Sequence, residues 1–247
     1  MPNHVTNIVS FQGDQSKIQD LIDTVRSKDS EFDFQTFCPM PQELRGSRSP
    51  TSIVSQEEYD KYMANDDKKE WDKCITQKMS DNFLKEYGAD NWYDWAIVNW
   101  GTKWNAYDIN FDGSEYSLQT AWSTPFNAMH SLSEKFPHVT ICVKYFDEDF
   151  GNNTGEYHLK NGDVVYEYMP DPFSEEAFRF AIDIEGGDFY FGDALADADG
   201  EFDVHDTFYS TCIKINHEKN YSFDGFPDKI LEKLLEYATA DENYERA

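Results

Sequence analysis

Two groups of side chains in this 247-residue sequence are of types that do chemistry. The first is aromatic. The window from Asn91 to Trp122 holds five of the six tryptophans, and within it lie Trp95, Trp100, Lys103, Trp104 and Asp108. Indole faces stack on bases and sugar rings, a lysine offers a cation, and a carboxylate accepts from an amine or hydroxyl. Asn99, Asn105 and Asp94 add polar contacts, so the chemistry would be capture of a nucleotide or a sugar. The same residues also suit a core. Aromatic clusters are buried more often than they serve as sites. The expectation is therefore that Trp95, Trp100, Trp104 and Trp122 pack between a sheet and helices, with the Lys103 stem along their surface.

The second group is acidic: Asp183, Glu185, Asp188, Asp193, Asp197, Asp199, Glu201, Asp203 and Asp206. From Asp171 to Asp206 there are 12 acids, and Arg179 is the only Lys or Arg. Dense carboxylates on a rigid frame imitate the phosphates of a duplex, which carries about one charge per 1.7 Å of axis. A calcium loop is the competing reading. Aligned on Gly200, Asp197, Asp199, Asp203 and Asp206 fall at ligand positions, but Leu195 occupies the first and the last is not the longer Glu. No metal is expected.

Catalytic sets are missing from the pattern. His4, His130, His138, His158, His205 and His217 show no paired spacing, and Gly186-Gly187 is a turn signal rather than a phosphate loop. Cys38, Cys74, Cys142 and Cys212 are too scattered for a metal or redox motif. No cofactor and no catalytic residue is assigned, and a non-enzymatic protein is expected.

Charge narrows the partners. There are 48 acids against 21 Lys and Arg, a formal net of −27, and most of the excess lies beyond residue 100. Such a field repels free nucleic acid and anionic membrane and attracts basic surfaces. The opening residues carry neither the basic nor the apolar stretch of a secretory leader. No apolar run approaches the ~18 residues of a span. A cytoplasmic protein is expected.

These residues need elements to hold them. His4 to Phe11 alternates as a strand, and Ile18, Leu21, Ile22 and Val25 give the stripe of a core-facing helix. Phe32 and Phe34 suggest a short second strand ending at Cys38-Pro39-Met40-Pro41. Ser55-Gln56-Glu57-Glu58 is a capping box. Trp71, Ile75, Met79, Phe83 and Tyr87 predict one helix, stopped by Gly88. Asp112-Gly113 predicts a type I′ hairpin turn, and Asn161-Gly162 the turn of a second hairpin. Thr124 and Pro125 open a helix, and Val139 to Tyr145 is a strand of period two. Ser174 to Ile184 fits helix or strand, Thr207 to Ile215 a strand, and Pro227 to Ala238 an amphipathic helix. The order approaches βαββαβ: an α+β, ferredoxin-like antiparallel sheet with a helical insertion at about 42–90 and added strands. This predicts a domain over 1–170 and an acidic extension over 171–247.

Several strings resemble one family: Pro2-Asn3-His4-Val5-Thr6-Asn7, Cys38-Pro39-Met40-Pro41, and Trp92-Tyr93-Asp94-Trp95. Asn99-Trp100-Gly101-Thr102-Lys103-Trp104-Asn105-Ala106-Tyr107-Asp108 follows, then Thr120-Ala121-Trp122-Ser123 with Pro125, and Phe136-Pro137. Asp147-Glu148-Asp149-Phe150-Gly151 and Gly155-Glu156-Tyr157 complete them. Over roughly residues 1–168 the chain is similar to the YubB ferredoxin-like domain family of plasmids and bacteriophages. The resemblance implies a ferredoxin-like fold, a mobile-element origin and a bacterial host, and transfers no activity.

The leading functional expectation is a non-enzymatic acidic protein that binds a basic surface of a host or defence protein by imitating nucleic acid. It contacts neither nucleic acid nor membrane directly. The alternative is a nucleotide- or sugar-binding module built on Trp95, Trp100, Lys103, Trp104 and Asp108.

Overall fold

The structure is a computed structural model, described for residues 3–65, 73–149, 151–172 and 174–185. Strand β1 (His4–Gln12) buries Val5, Asn7 and Val9 on one side, as its alternation requires. Helix α1 (Gln15–Val25) follows, capped by the Asp14 carboxylate on the Ser16 N–H, and buries Leu21, Ile22 and Val25. The expected second strand is absent. Phe34–Phe37 is a one-turn helix, α2, capped by Asp33. Phe32, Phe34 and Phe37 all turn inward and pack edge to face on one another. Cluster burial rather than strand alternation explains the spacing of these rings, and the Asp33 side chain selects the helix.

Next come β2 (Ile53–Val54), α3 (Gln56–Met63), β3 (Ile75–Thr76), α4 (Gln77–Tyr87) and α5 (Trp92–Trp100). The capping box at Ser55 and Glu58 is formed. The long helix expected through Ile75 starts only at Gln77. Ile75 and Thr76 instead pair in parallel with Ile53 and Val54, and the Thr76 hydroxyl caps α4 by accepting from the Met79 N–H. Trp71 lies outside the described residues.

The rest of the sheet comes from β4 (Tyr107–Phe111), β5 (Glu115–Ala121), β6 (Thr140–Asp147), β7 (Gly155–Lys160) and β8 (Asp163–Tyr168). Helix α6 (Phe126–Lys135) separates β5 from β6, and α7 (Glu175–Glu185) follows β8. Pro125 stands just before α6, and Thr124 bonds the Tyr157 hydroxyl instead of capping the helix. Asn161-Gly162 has positive φ at both residues, as a type I′ turn demands. At the first hairpin only Gly113 does. There the Asp112 carboxylate accepts from the Ser114 and Glu115 N–H groups, an Asx turn in place of type I′.

The sheet order is β4-β5-β1-β6-β7-β8, with every neighbouring pair antiparallel. This is an α+β fold. One sheet face carries Val5, Val9, Tyr116, Leu118, Ile141, Val143, Tyr157 and Leu159, which join residues of α1, α2, α5 and α6 in the main core. On the other face α7 lies against β6 and β7, with Phe180 on Tyr168 and Cys142 and Phe146 buried. Among the described residues no helix is long and apolar enough to cross a membrane.

Helix α5 brings the tryptophan window to this core. Asn91 caps its start, and Trp95, Ala96 and Trp100 are buried. Gly101 ends it at φ +80°. A Cβ there would stand 3.1 Å from the Asn127 backbone nitrogen, so both the left-handed turn and the close approach to α6 require glycine.

Candidate functional site

Beyond Gly101 the chain is pinned to the end of β5. The Thr102 hydroxyl donates to the Ala121 carbonyl at 2.7 Å and accepts from the Ala121 N–H at 3.2 Å. This places Lys103 beside Trp122. The Lys103 Nζ lies 4.4 Å from the Trp122 ring centroid and 4.8 Å from that of Trp104. Each such contact contributes roughly 0.5–1 kcal/mol at an exposed position. Trp104 is 39% exposed and Trp122 42%. Tyr93 meets Trp122 edge on, and Tyr107 meets Trp104 likewise. The Tyr107 hydroxyl sits 2.6 Å from His4 Nδ1. The result is an exposed aromatic strip with a cation held between two indoles.

Trp122 is held in an unfavourable conformation. Its φ is +74°, a region that costs a bulky residue on the order of 1–3 kcal/mol. Its N–H donates to the Asn3 carbonyl at 2.9 Å, and its carbonyl accepts from Asn153 Nδ2 at 3.2 Å. Both asparagines are tied to one carboxylate. Asn3 Nδ2 donates to Asp147 Oδ1 at 3.0 Å, and Asn153 Nδ2 to Asp147 Oδ2 at 3.1 Å. The Asp149 N–H adds a third bond at 2.9 Å. Asp147, at the end of β6, is buried. Burial pushes its carboxyl above the usual range, outweighing the donors that pull it down. A buried acid thus fixes two asparagines, and these fix the strained residue whose ring is displayed.

The expected site residues separate. Trp95 and Trp100 are core: they stack edge to face, and the Trp100 indole N–H donates to the Cys38 carbonyl. Lys103 and Trp104 belong to the strip. Asp108 is exposed on β4 at φ +48°, close enough to Tyr107 to help raise its phenol to about 12, after burial and together with Glu148. Trp104 and Trp122, expected in the core, are displayed because the loop after α5 ends at the sheet margin. Of the acidic group, Asp183 is exposed on α7. Glu185 ends that helix, its side chain outside the description, and Asp188, Asp193, Asp197, Asp199, Glu201, Asp203 and Asp206 lie outside the described residues. Asp147, Asn3, Asn153 and Tyr93 were missed as site residues. Three of the strings that carry the family resemblance contain Asn3, Trp122 and Asp147, and their convergence here was the available signal.

A second cluster lies on the opposite sheet face. His158 Nε2 is 2.6 Å from Glu156 Oε1, and Cys142 stands opposite His158 in the strand register. Burial, and then the Glu156 charge, push the Cys142 thiol from 9.0 up to about 11. A nucleophile needs the reverse shift. Among the described residues no group of three or more His, Cys, Asp or Glu could hold a metal. The raised thiol and the Tyr107 phenol both favour the neutral form in the folded state. Their stabilisation is complete below pH 9 and is lost as pH rises through 9–11 for the thiol and 10–12 for the phenol. Chemical denaturation in pH steps should therefore show falling stability above pH 9. Burial raises the Cys38 thiol as well, so Cys142→Ala should reduce rather than abolish the first part of that decline, and an unchanged profile would show that the Cys142 thiol is not responsible.

Residues 99–186 match the family described as the ferredoxin-like domain in Api92-like protein. The matched segment runs from the last turn of α5 through β8 and α7, and it supports a ferredoxin-like domain. No curated protein matches the chain. No solved structure matches it either.

Proposed function

We propose that this chain is a non-enzymatic binding protein, and that the Lys103 strip is a ligand-capture surface for a nucleotide or a sugar. The observation that carries this is the pair of exposed indoles, Trp104 and Trp122, on either side of the Lys103 ammonium. A ring stacks on either indole while Lys103 and Asp108 meet its polar groups. Titration with nucleotides and neutral sugars should quench tryptophan emission in the micromolar range. Trp122→Gly removes the ring and relieves the positive φ together, so it should fold and yet bind about tenfold more weakly, since a stacked ring is worth roughly 1–3 kcal/mol. A flat titration across the panel removes the reading.

The charge favours a second reading, capture of a basic surface on a host or defence protein by imitation of nucleic acid. The excess of 48 acids over 21 bases supports it. The residues assigned to it are Asp183, Glu185, Asp188, Asp193, Asp197, Asp199, Glu201, Asp203 and Asp206. Asn at Asp193, Asp197, Asp199 and Asp203 together should abolish salt-sensitive capture of the partner without unfolding the chain. Unchanged affinity would sink it.

The sheet order supports a finer reading of the fold. In it β1, α1, β4, β5, α6 and β6 form a βαββαβ core, α2 to α5 with β2 and β3 are the insertion, and β7, β8 and α7 are additions. The domain then covers 1–170 and the acidic extension 171–247. A place in the YubB family, a plasmid or bacteriophage origin and a cytoplasmic setting in the bacterial host belong to the same proposal.

A further inference from the structure

We propose that the ligand of the Lys103 strip is an uncharged oligosaccharide rather than a nucleotide. The inference rests on the first functional reading, that the strip captures rings. Charge decides between the two ligand classes. The strip and its supports come from residues 3–12, 91–122 and 145–153, and Lys103 is the only Lys or Arg in these segments. That cation is already engaged. Its Nζ stands over the Trp122 ring at 4.4 Å and over the Trp104 ring at 4.8 Å, where the negative faces of both indoles attract it. Turning to a phosphate, Lys103 gives up both contacts. Carboxylates stand close by. Asp108 and Glu148 are exposed, and both lie near enough to the Tyr107 phenol to help raise its pKa. A triphosphate is repelled by these groups and by the net of −27 on the whole chain.

The same groups suit a sugar. The C–H face of a pyranose is apolar and slightly positive, and the negative π-face of an indole attracts it. Sugar hydroxyls donate, and the Asp108 and Glu148 carboxylates accept. An uncharged chain meets no repulsion from either. The length of the strip selects a chain of sugars over one ring. Tyr93 meets Trp122 with centroids 6.0 Å apart, and Tyr107 meets Trp104 at 6.3 Å. Four rings and the Lys103 ammonium thus follow one another in contact, more aromatic surface than a single pyranose covers. A flat base finds no slot between the two indoles, because the Lys103 ammonium fills it.

The test titrates the full chain with maltopentaose, cellopentaose, glucose, adenosine and ATP at low and high salt, read by tryptophan emission. At least one pentasaccharide should quench the emission about tenfold more tightly than glucose, with an affinity that salt leaves unchanged. ATP should bind at least about tenfold more weakly than that sugar, and salt should strengthen it by screening the carboxylates. Trp104→Ala should weaken the pentasaccharide about tenfold. The double variant Asp108→Asn, Glu148→Gln, with both positions exposed, should stay folded and bind ATP about tenfold more tightly and the sugar about threefold more weakly. Adenosine or ATP bound more tightly than either pentasaccharide overturns the inference and leaves ring capture standing. ATP binding that salt weakens also overturns it, since Lys103 then captures phosphate. Sugar affinity unaltered by Trp104→Ala, or ATP affinity unaltered by the double variant, overturns it as well. A titration flat for every compound removes the ring-capture reading, and this inference with it.

Discussion

Replacing Trp100 by alanine is expected to lower the stability of the chain by about 3–5 kcal/mol, the range for deleting a buried large aromatic. Trp100 is 3% exposed. Its ring meets Phe34 at 5.7 Å and Trp95 at 5.5 Å between centroids, both edge to face. Its indole N–H donates to the Cys38 carbonyl at 2.9 Å. Alanine therefore leaves a cavity where α5, α2 and the Cys38 loop meet, and it also removes the donor to that carbonyl. Trp100→Phe keeps most of the volume and loses the donor, so its cost should be intermediate. Urea unfolding of the three proteins checks this. A Trp100→Ala loss below about 1 kcal/mol would mean that the site collapses around the smaller side chain.

Half of the tryptophan window was legible in this way, and half was not. Trp95 and Trp100 lie on a helix whose start is marked by Asn91 and whose end is marked by Gly101, so their burial follows from local signals. Trp104 and Trp122 lie outside that helix. Their exposure depends on where Thr102 meets Ala121, a contact 19 residues apart in sequence that no local pattern announces. The same limit explains the missed strand pairing. Ile75 continues the four-residue spacing of α4 as well as any helical residue, and only its parallel partner Ile53 makes it a strand. Alternation was a sound guide in β1 and β6, where one face must meet the core. It failed at Phe32 and Phe34, where three phenylalanines enclose one another and no strand pairs with them. The acidic residues were the easiest to see as a group, because charge density needs no geometry.

Asp147→Ala should have the second large effect, and it separates display of the strip from its mere composition. The substitution strips the acceptors from Asn3 Nδ2, Asn153 Nδ2 and the Asp149 N–H at once. Asn3 is exposed, Asn153 is half-buried and keeps its bond to the Trp122 carbonyl, and the Asp149 N–H is half-buried, so the cost falls mainly on the emptied Asp147 site and a loss on the order of 1–2 kcal/mol is expected. The loss should not stop at stability. With Asn3 and Asn153 freed from the carboxylate, Trp122 is held at φ +74° only by its own backbone bonds, such as that of its N–H to the Asn3 carbonyl, and its ring should shift from Lys103. Acrylamide quenching and the tryptophan emission maximum should therefore change in the folded variant, and ring-ligand affinity should fall as it does in Trp122→Gly. Asp147→Asn is the informative partner. It keeps one oxygen for Asn3 and the Asp149 N–H and removes the buried charge. The wild-type carboxyl has a raised pKa, so its neutral form favours folding. That contribution is present at acid pH and is lost as pH rises through the folded pKa. Asp147→Asn should flatten this part of the stability profile while holding Trp122 better than alanine does. If Asp147→Ala binds ring ligands as wild type does, the carboxylate only supports the fold, and Trp122 keeps its conformation by other means.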